Sequence, residues 1–143
     1  MNRSEEITLM LVEDDDVDVY ALKRAISKSG LNNPIVRAID GQDALEKLRG
    51  QNGQDRVEKP YIILLDINMP RLNGLEFLNE LKKDPQLWDS VVFVLSTSND
   101  EKDKQAAFKH GVAGYICKSD YEQGFGPIFE MLDRYQSTSI IPR

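Results

Sequence analysis

Four carboxylates stand in a row at Glu13, Asp14, Asp15 and Asp16, inside the stretch LVEDDDVD. Such a block repels itself unless a cation answers it. Further along, other residues able to do chemistry follow short apolar runs: Asp66 after YIILL, Ser96 and Thr97 after VVFVL, Lys118 after GYIC. Taken singly, each has a bland reading. An acidic cluster is usually a solvated turn, Asp66 a turn-opening residue, and Lys118 an ordinary strand-end lysine. Brought together, they suit one chemistry. Clustered carboxylates offer hard oxygen ligands to Mg²⁺, which keeps waters and often completes its shell with phosphate oxygens. A lysine ammonium and a hydroxyl suit the charge spread over the equatorial oxygens of a transferring phosphoryl group. One carboxylate can itself be the nucleophile, giving an aspartyl phosphate. Asp66 fits that role best, because it ends the most central apolar run and precedes a turn built from Pro70, Asn73 and Gly74.

The elements that must position these residues are legible as an alternation. Ile7 to Val12, Tyr61 to Leu65 and Val91 to Leu95 are nearly continuous apolar runs, as expected of strands covered on both faces. Ile35 to Ile39 and Gly114 to Cys117 are weaker strand candidates. Helical spacing fills the gaps. It covers Val17 to Ser29 (Val19, Leu22, Ala25, Ile26, stopping at Gly30) and Gly41 to Leu48 (Ala44, Leu45, Leu48). It also covers Gly74 to Lys82 (Leu75, Leu78, Leu81), Asp100 to His110 (Ala106, Ala107, Phe108) and Phe125 to Tyr135 (Phe125, Ile128, Phe129, Leu132). Strand–helix repeated five times is the pattern of a doubly wound α/β sandwich with a parallel sheet. Ligands in such sheets bind at the carboxyl ends of the strands, where the acids, the hydroxyl and the lysine all fall. Within the acidic run, Asp16 is read as the N-cap of the first helix and Asp18 as favouring its first turn through the dipole. Asp15 is assigned no role. His110 is read as a helix C-cap, Cys117 as a small buried strand residue, and Trp88 as local cover.

Composition bounds the function. The 143 residues suit one domain, read as residues 1–143 with a core at about 7–135 and a C-terminal tail at 136–143. With 18 basic against 24 acidic residues the net charge is −6, which argues against a general nucleic-acid binder. One cysteine, Cys117, excludes an internal disulfide and fits a reducing compartment. No apolar run approaches the roughly 18 residues of a membrane span, and the start lacks a signal-peptide core. The expectation is a cytoplasmic protein with no membrane association and no direct nucleic-acid contact.

At LVEDD, LLDINMPRLNGLEFL, VLSTS and GYICK the sequence resembles the receiver domain of bacterial two-component response regulators. The resemblance runs from Ile7 to about Tyr135. It implies a flavodoxin-like fold with five parallel strands in the order 2-1-3-4-5 and five helices. It also implies that Asp66 accepts a phosphoryl group from the phosphohistidine of a sensor histidine kinase. Mg²⁺ would be held by the carboxylates of Asp14 and Asp66, by the backbone carbonyl of Asn68, and by Glu13 through a water. Lys118 would pair with the phosphoryl group, or with Asp66 in its absence. Ser96 would move to bond the phosphoryl group, and Tyr115 would be the aromatic switch that follows it. The fourth helix, fifth strand and fifth helix would form the signalling surface to a downstream protein the sequence does not name. Asn68 and Ser98 fall where the family tunes its dephosphorylation rate. One departure stands out: Ser119 follows Lys118 where the family usually carries proline in a cis peptide. A non-proline cis bond costs roughly 2.5–4 kcal/mol, so this loop is either trans or strained, and lysine placement is the feature it affects. The long polar loop Arg49 to Lys59 and the hydrophobic–Pro tail resemble stand-alone regulators paired with phytochrome-type kinases, with a homodimer among the assemblies to test.

Other functions remain on the same topology. A Mg²⁺-dependent aspartyl-phosphate phosphatase wants a second acid two residues past the nucleophile, where this chain has Asn68. A flavin protein needs Gly, Ser or Thr around a phosphate after strand one, where this chain has acids. A receiver serving only as an interaction module would not require the intact acids, hydroxyl and lysine.

Overall fold

The computed structural model describes residues 7–28, 30–67, 73–97, 100–118 and 130. In chain order these form β1 (Thr8–Val12), α1 (Asp16–Lys28), β2 (Ile35–Ala38), α2 (Gly41–Arg49), β3 (Tyr61–Asp66), α3 (Gly74–Lys83), β4 (Val91–Ser96), α4 (Glu101–Lys109) and β5 (Gly114–Cys117). The five strands make one sheet in the order β2-β1-β3-β4-β5, all pairs parallel. This is the expected flavodoxin-like α/β architecture, with four helices among the described residues. The fifth expected helix, Phe125 to Tyr135, lies outside them, as do the tail and Ser119.

Alternation along the strands sorts the core into two faces. Met10, Val12, Ile63, Leu65, Val92 and Val94 pack with side chains of α2, α3 and α4, including Leu48, Phe77 and Leu81. Leu9, Leu11, Ile62, Leu64, Phe93 and Leu95 point the other way, against Val19, Leu22 and Ile26 of α1. β3 is buried at every position, which explains why its sequence shows no polar alternation. Full burial of side chains this size contributes about 1.5–3 kcal/mol each, before chain entropy is charged against it.

Several helix faces differ from the simple apolar stripe. In α3 the buried set is Phe77, Leu78 and Leu81, while Leu75 is partly exposed. In α4 only Ala107 is buried and Phe108 is half exposed. β2 ends at Ala38, so Ile39 lies outside the strand on the surface. Trp88 is also largely exposed, which does not fit a covering role. His110 does cap α4, its Nδ1 lying 2.9 Å from the Ala106 carbonyl oxygen. Cys117 is half-buried at the edge strand.

Candidate functional site

Register decides which side chains meet. Val12 pairs with Leu65 across β1 and β3, and Asp66 pairs with Leu95 across β3 and β4. Glu13, whose N–H still donates to the Ala38 carbonyl, therefore lies level with Asp66. Both continue the rows that face α1. Ser96 pairs with Cys117 one step further along, in the row that faces α4, and is fully buried. Thr97, its neighbour, is exposed, which distinguishes the two hydroxyls. Lys118 follows β5 immediately and reaches back across the strand ends.

Carboxylate oxygens of Glu13, Asp14 and Asp66 all lie within 4.8 Å of one another, with Glu13 and Asp66 buried and Asp14 exposed. The Lys118 ammonium sits 2.7 Å from Glu13 Oε1, 2.8 Å from Asp18 Oδ2 and 3.4 Å from Asp66 Oδ2. Burial, and then the adjacent Asp66 carboxylate, push Glu13 up to about 8, against the pull of the Lys118 ammonium. For Lys118 burial alone would lower the pKa. The hydrogen bonds to Asp18 and Glu13 and the charge of Asp66 outweigh it and hold the ammonium above its ordinary value. Lys118 thus contacts Glu13, Asp18 and Asp66, and Asp14 completes a three-acid cluster with Glu13 and Asp66, whose mutual repulsion a divalent ion would relieve. Three hard oxygen donors of this kind, one open to water, are the donor set Mg²⁺ takes.

The loop that carries the acids is fixed from both sides. Asp15, not Asp16, caps α1: its carboxylate accepts from the N–H of Val17 at 2.8 Å and of Asp18 at 3.4 Å. Helix α1 begins one residue before the expected Val17 start, so the cap moves back with it. Asp16 instead pairs with Arg37 at 2.6 Å. The same guanidinium donates from Nε to the Glu13 carbonyl at 3.1 Å, tying β2 to the acidic loop. Spacing alone assigned Asp18 only to the helix dipole; its contact with Lys118, a hundred residues away in sequence, is a contact of the fold.

Behind Asp66, the start of α3 lies close against the end of β3. Asn73 and Glu76 form a reciprocal capping box, and the Gly74 N–H donates to the Ile67 carbonyl at 3.0 Å. A Cβ on Gly74 would lie 2.5 Å from Ile67 Cα, so this approach admits only glycine without movement. Asn68 and Ser98 lie outside the described residues. Tyr115 is half-buried against the α4 face, with the Lys104 ammonium 5.9 Å above its ring.

An acid cluster and a lysine thus meet at the carboxyl ends of the strands of a 2-1-3-4-5 sheet, where doubly wound folds hold their ligands. The chain matches the response regulator receiver domain over residues 9–124, and it belongs to that family. It is 31% identical to the response regulator Rcp1 of Synechocystis over 129 residues, 90% of this chain and 86% of that one. Its fold matches the phosphorylated cyanobacterial phytochrome response regulator RcpA, with a TM-score of 0.76 and 30% identity over 96% of this chain and 99% of that one. It also matches the Mn²⁺-bound form of response regulator Rcp1, with a TM-score of 0.71 and 29% identity over the same shares. Receiver domains are signalling switches, and the Glu13, Asp14 and Asp66 cluster fits a divalent metal site. Among the described residues no helix is long and apolar enough to cross a membrane.

Proposed function

We propose that this chain is a response regulator receiver that takes a phosphoryl group from a histidine kinase phosphohistidine onto Asp66. The observation that carries the reading is the buried Asp66 carboxylate, 3.4 Å from the Lys118 ammonium and within the three-acid cluster. In the transfer an Asp66 oxygen bonds to phosphorus as the phosphorus–nitrogen bond to the kinase imidazole breaks, and the imidazole keeps the electron pair. Lys118 supplies positive charge to a phosphoryl oxygen, and Ser96, at the end of β4, supplies a hydroxyl. Glu13, Asp14, Asp66 and the Asn68 carbonyl are the residues assigned to Mg²⁺. Bound there, Mg²⁺ would neutralise acid repulsion and the charge developing on the phosphoryl oxygens.

The readout would run through Ser96 and Tyr115 to the surface of α4, β5 and the chain after it, where a downstream protein binds. Tyr115 is half-buried, packed on the core and beside Lys104, a position from which a rotamer change alters the exposed α4 face. The likeness to RcpA supports a phytochrome-type kinase as the partner. The test is exposure of the protein to Mg²⁺ with a beryllofluoride salt, which mimics an aspartyl phosphate. A Mg²⁺-dependent adduct on the wild type and none on Asp66→Asn is expected. No adduct on the wild type, or an equal one on Asp66→Asn, would sink the reading.

A further inference from the structure

Lys118 is held by more carboxylates than the phosphoryl chemistry needs. An ammonium has three N–H donors, and three carboxylates surround this one: Glu13 at 2.7 Å, Asp18 at 2.8 Å and Asp66 at 3.4 Å. The lysine therefore sits closer to Asp18 than to the acid it would serve. Asp18 is well placed to hold it. It is the third residue of α1, its N–H is donated to the Asp15 cap, and helical side chains lean back toward the N-terminus, here toward the acidic loop. The three partners also differ in access to water. The side chains of Glu13 and Asp66 are 1% and 6% exposed, whereas that of Asp18 is 35% exposed.

We infer that Asp18 is a tether for the Lys118 ammonium, competing for it with a phosphoryl group on Asp66. The ammonium hydrogen-bonds Glu13 and Asp18 and only approaches Asp66, so closing on a phosphoryl oxygen there draws it away from those two carboxylates. Asp18 is the one released most cheaply, because water can reach it once the lysine leaves. The tether also supplies an orientation that does not depend on the residue after Lys118, which is serine in this chain. Asp18 is thus a positioning residue that acts through Lys118, and it sets how tightly the phosphorylated state is held. The inference rests on the phosphoacceptor reading of Asp66.

The experiment is a titration of the full chain, in Mg²⁺, with beryllofluoride, comparing wild type with Asp18→Asn, Asp18→Glu and Asp16→Asn. Asp18→Asn keeps the cap N–H and removes the competing charge, so binding should tighten about threefold to fivefold, the upper end of the scale for a partly exposed ion pair. Asp18→Glu should return the wild-type value. Asp16→Asn removes the same formal charge from the same helical turn, but from a residue paired with Arg37, and should change binding less than about twofold. Unchanged or weaker binding by Asp18→Asn overturns the tether, as does equal tightening by Asp16→Asn, which would mean a general charge effect. Failure of the wild type itself to bind would overturn the phosphoacceptor reading and the tether with it, a result distinguishable from either.

Discussion

Gly74→Ala perturbs the close approach behind the phosphoacceptor with a single methyl group. That methyl would lie 2.5 Å from Ile67 Cα, 2.9 Å from Ile67 Cγ1 and 2.9 Å from the Ile67 carbonyl oxygen. Carbon atoms rest about 3.5–4.0 Å apart, so the nearest contact is about 1 Å too short. Two of the three atoms are backbone, and no rotamer change relieves them. Either the start of α3 or the end of β3 must shift by about that distance. Overpacking of this kind costs about 1–3 kcal/mol. Alanine recovers at most about 1 kcal/mol by being the better helix residue. With the closest contact and one other to backbone atoms, the overpacking cost falls at the upper end of that range and the net loss at about 2 kcal/mol. For a chain of this size that lowers the melting temperature by roughly 4–10 °C. Thermal and urea unfolding of the two proteins measure it. A melting temperature equal to or above the wild type would refute the packing argument, because helix propensity would then have won. Ile67 follows Asp66 directly, so the same variant should also accept phosphoryl groups more slowly.

Removing the guanidinium in Arg37→Ala frees the acidic loop from β2 and should weaken Mg²⁺ affinity about tenfold; an unchanged affinity would show that the loop needs no support from Arg37. Adding Mg²⁺ at a hundred times its dissociation constant should stabilise the wild type by about 2.7 kcal/mol, and Asp14→Asn should lose most of that shift in a melting experiment. Burial alone would raise the Asp43 pKa, but hydrogen bonds from Lys47, the Ile39 N–H and Gln54 outweigh it and hold the carboxylate below its ordinary range. A depressed folded value means stability that is present above the ordinary carboxylate pKa and lost as pH falls through the folded one. Urea unfolding of Asp43→Asn at pH 7 and pH 3 should therefore show a smaller loss on acidification than the wild type, and an equal loss would contradict the assignment.

What the sequence made legible follows from which features are local. The apolar runs of β1, β3 and β4 are buried on both faces, so their pattern is a strand signal that needs no knowledge of neighbours. Glu13, Asp66 and Ser96 fall at the ends of those strands for the same reason. Long-range contacts were not legible. Asp18 meets Lys118 because α1 and the β5 side chain two residues earlier, Ile116, pack on the same face of the sheet. The cap was misplaced by one residue because Asp15 and Asp16 are chemically alike in sequence. The choice falls to geometry: the carboxylate of Asp15 reaches two N–H groups, while Asp16 turns to Arg37. In α3 Phe77 was missed because the Leu75, Leu78 and Leu81 spacing already looked complete, yet Phe77 is the residue with no exposure. β2, an edge strand of half-buried residues, gave the weak signal that its position in the sheet implies.

The central claim is that Asp66 receives the phosphoryl group. Its most direct test is peptide mapping of the full chain after incubation with Mg²⁺ and acetyl phosphate, alongside Asp66→Asn and a metal-chelated control. One phosphoryl group, labile to base and to hydroxylamine as an acyl phosphate is, should appear on the peptide containing Asp66 and be absent from Asp66→Asn and from the chelated sample. A phosphoryl group on another residue, or labelling that persists in Asp66→Asn, would contradict it.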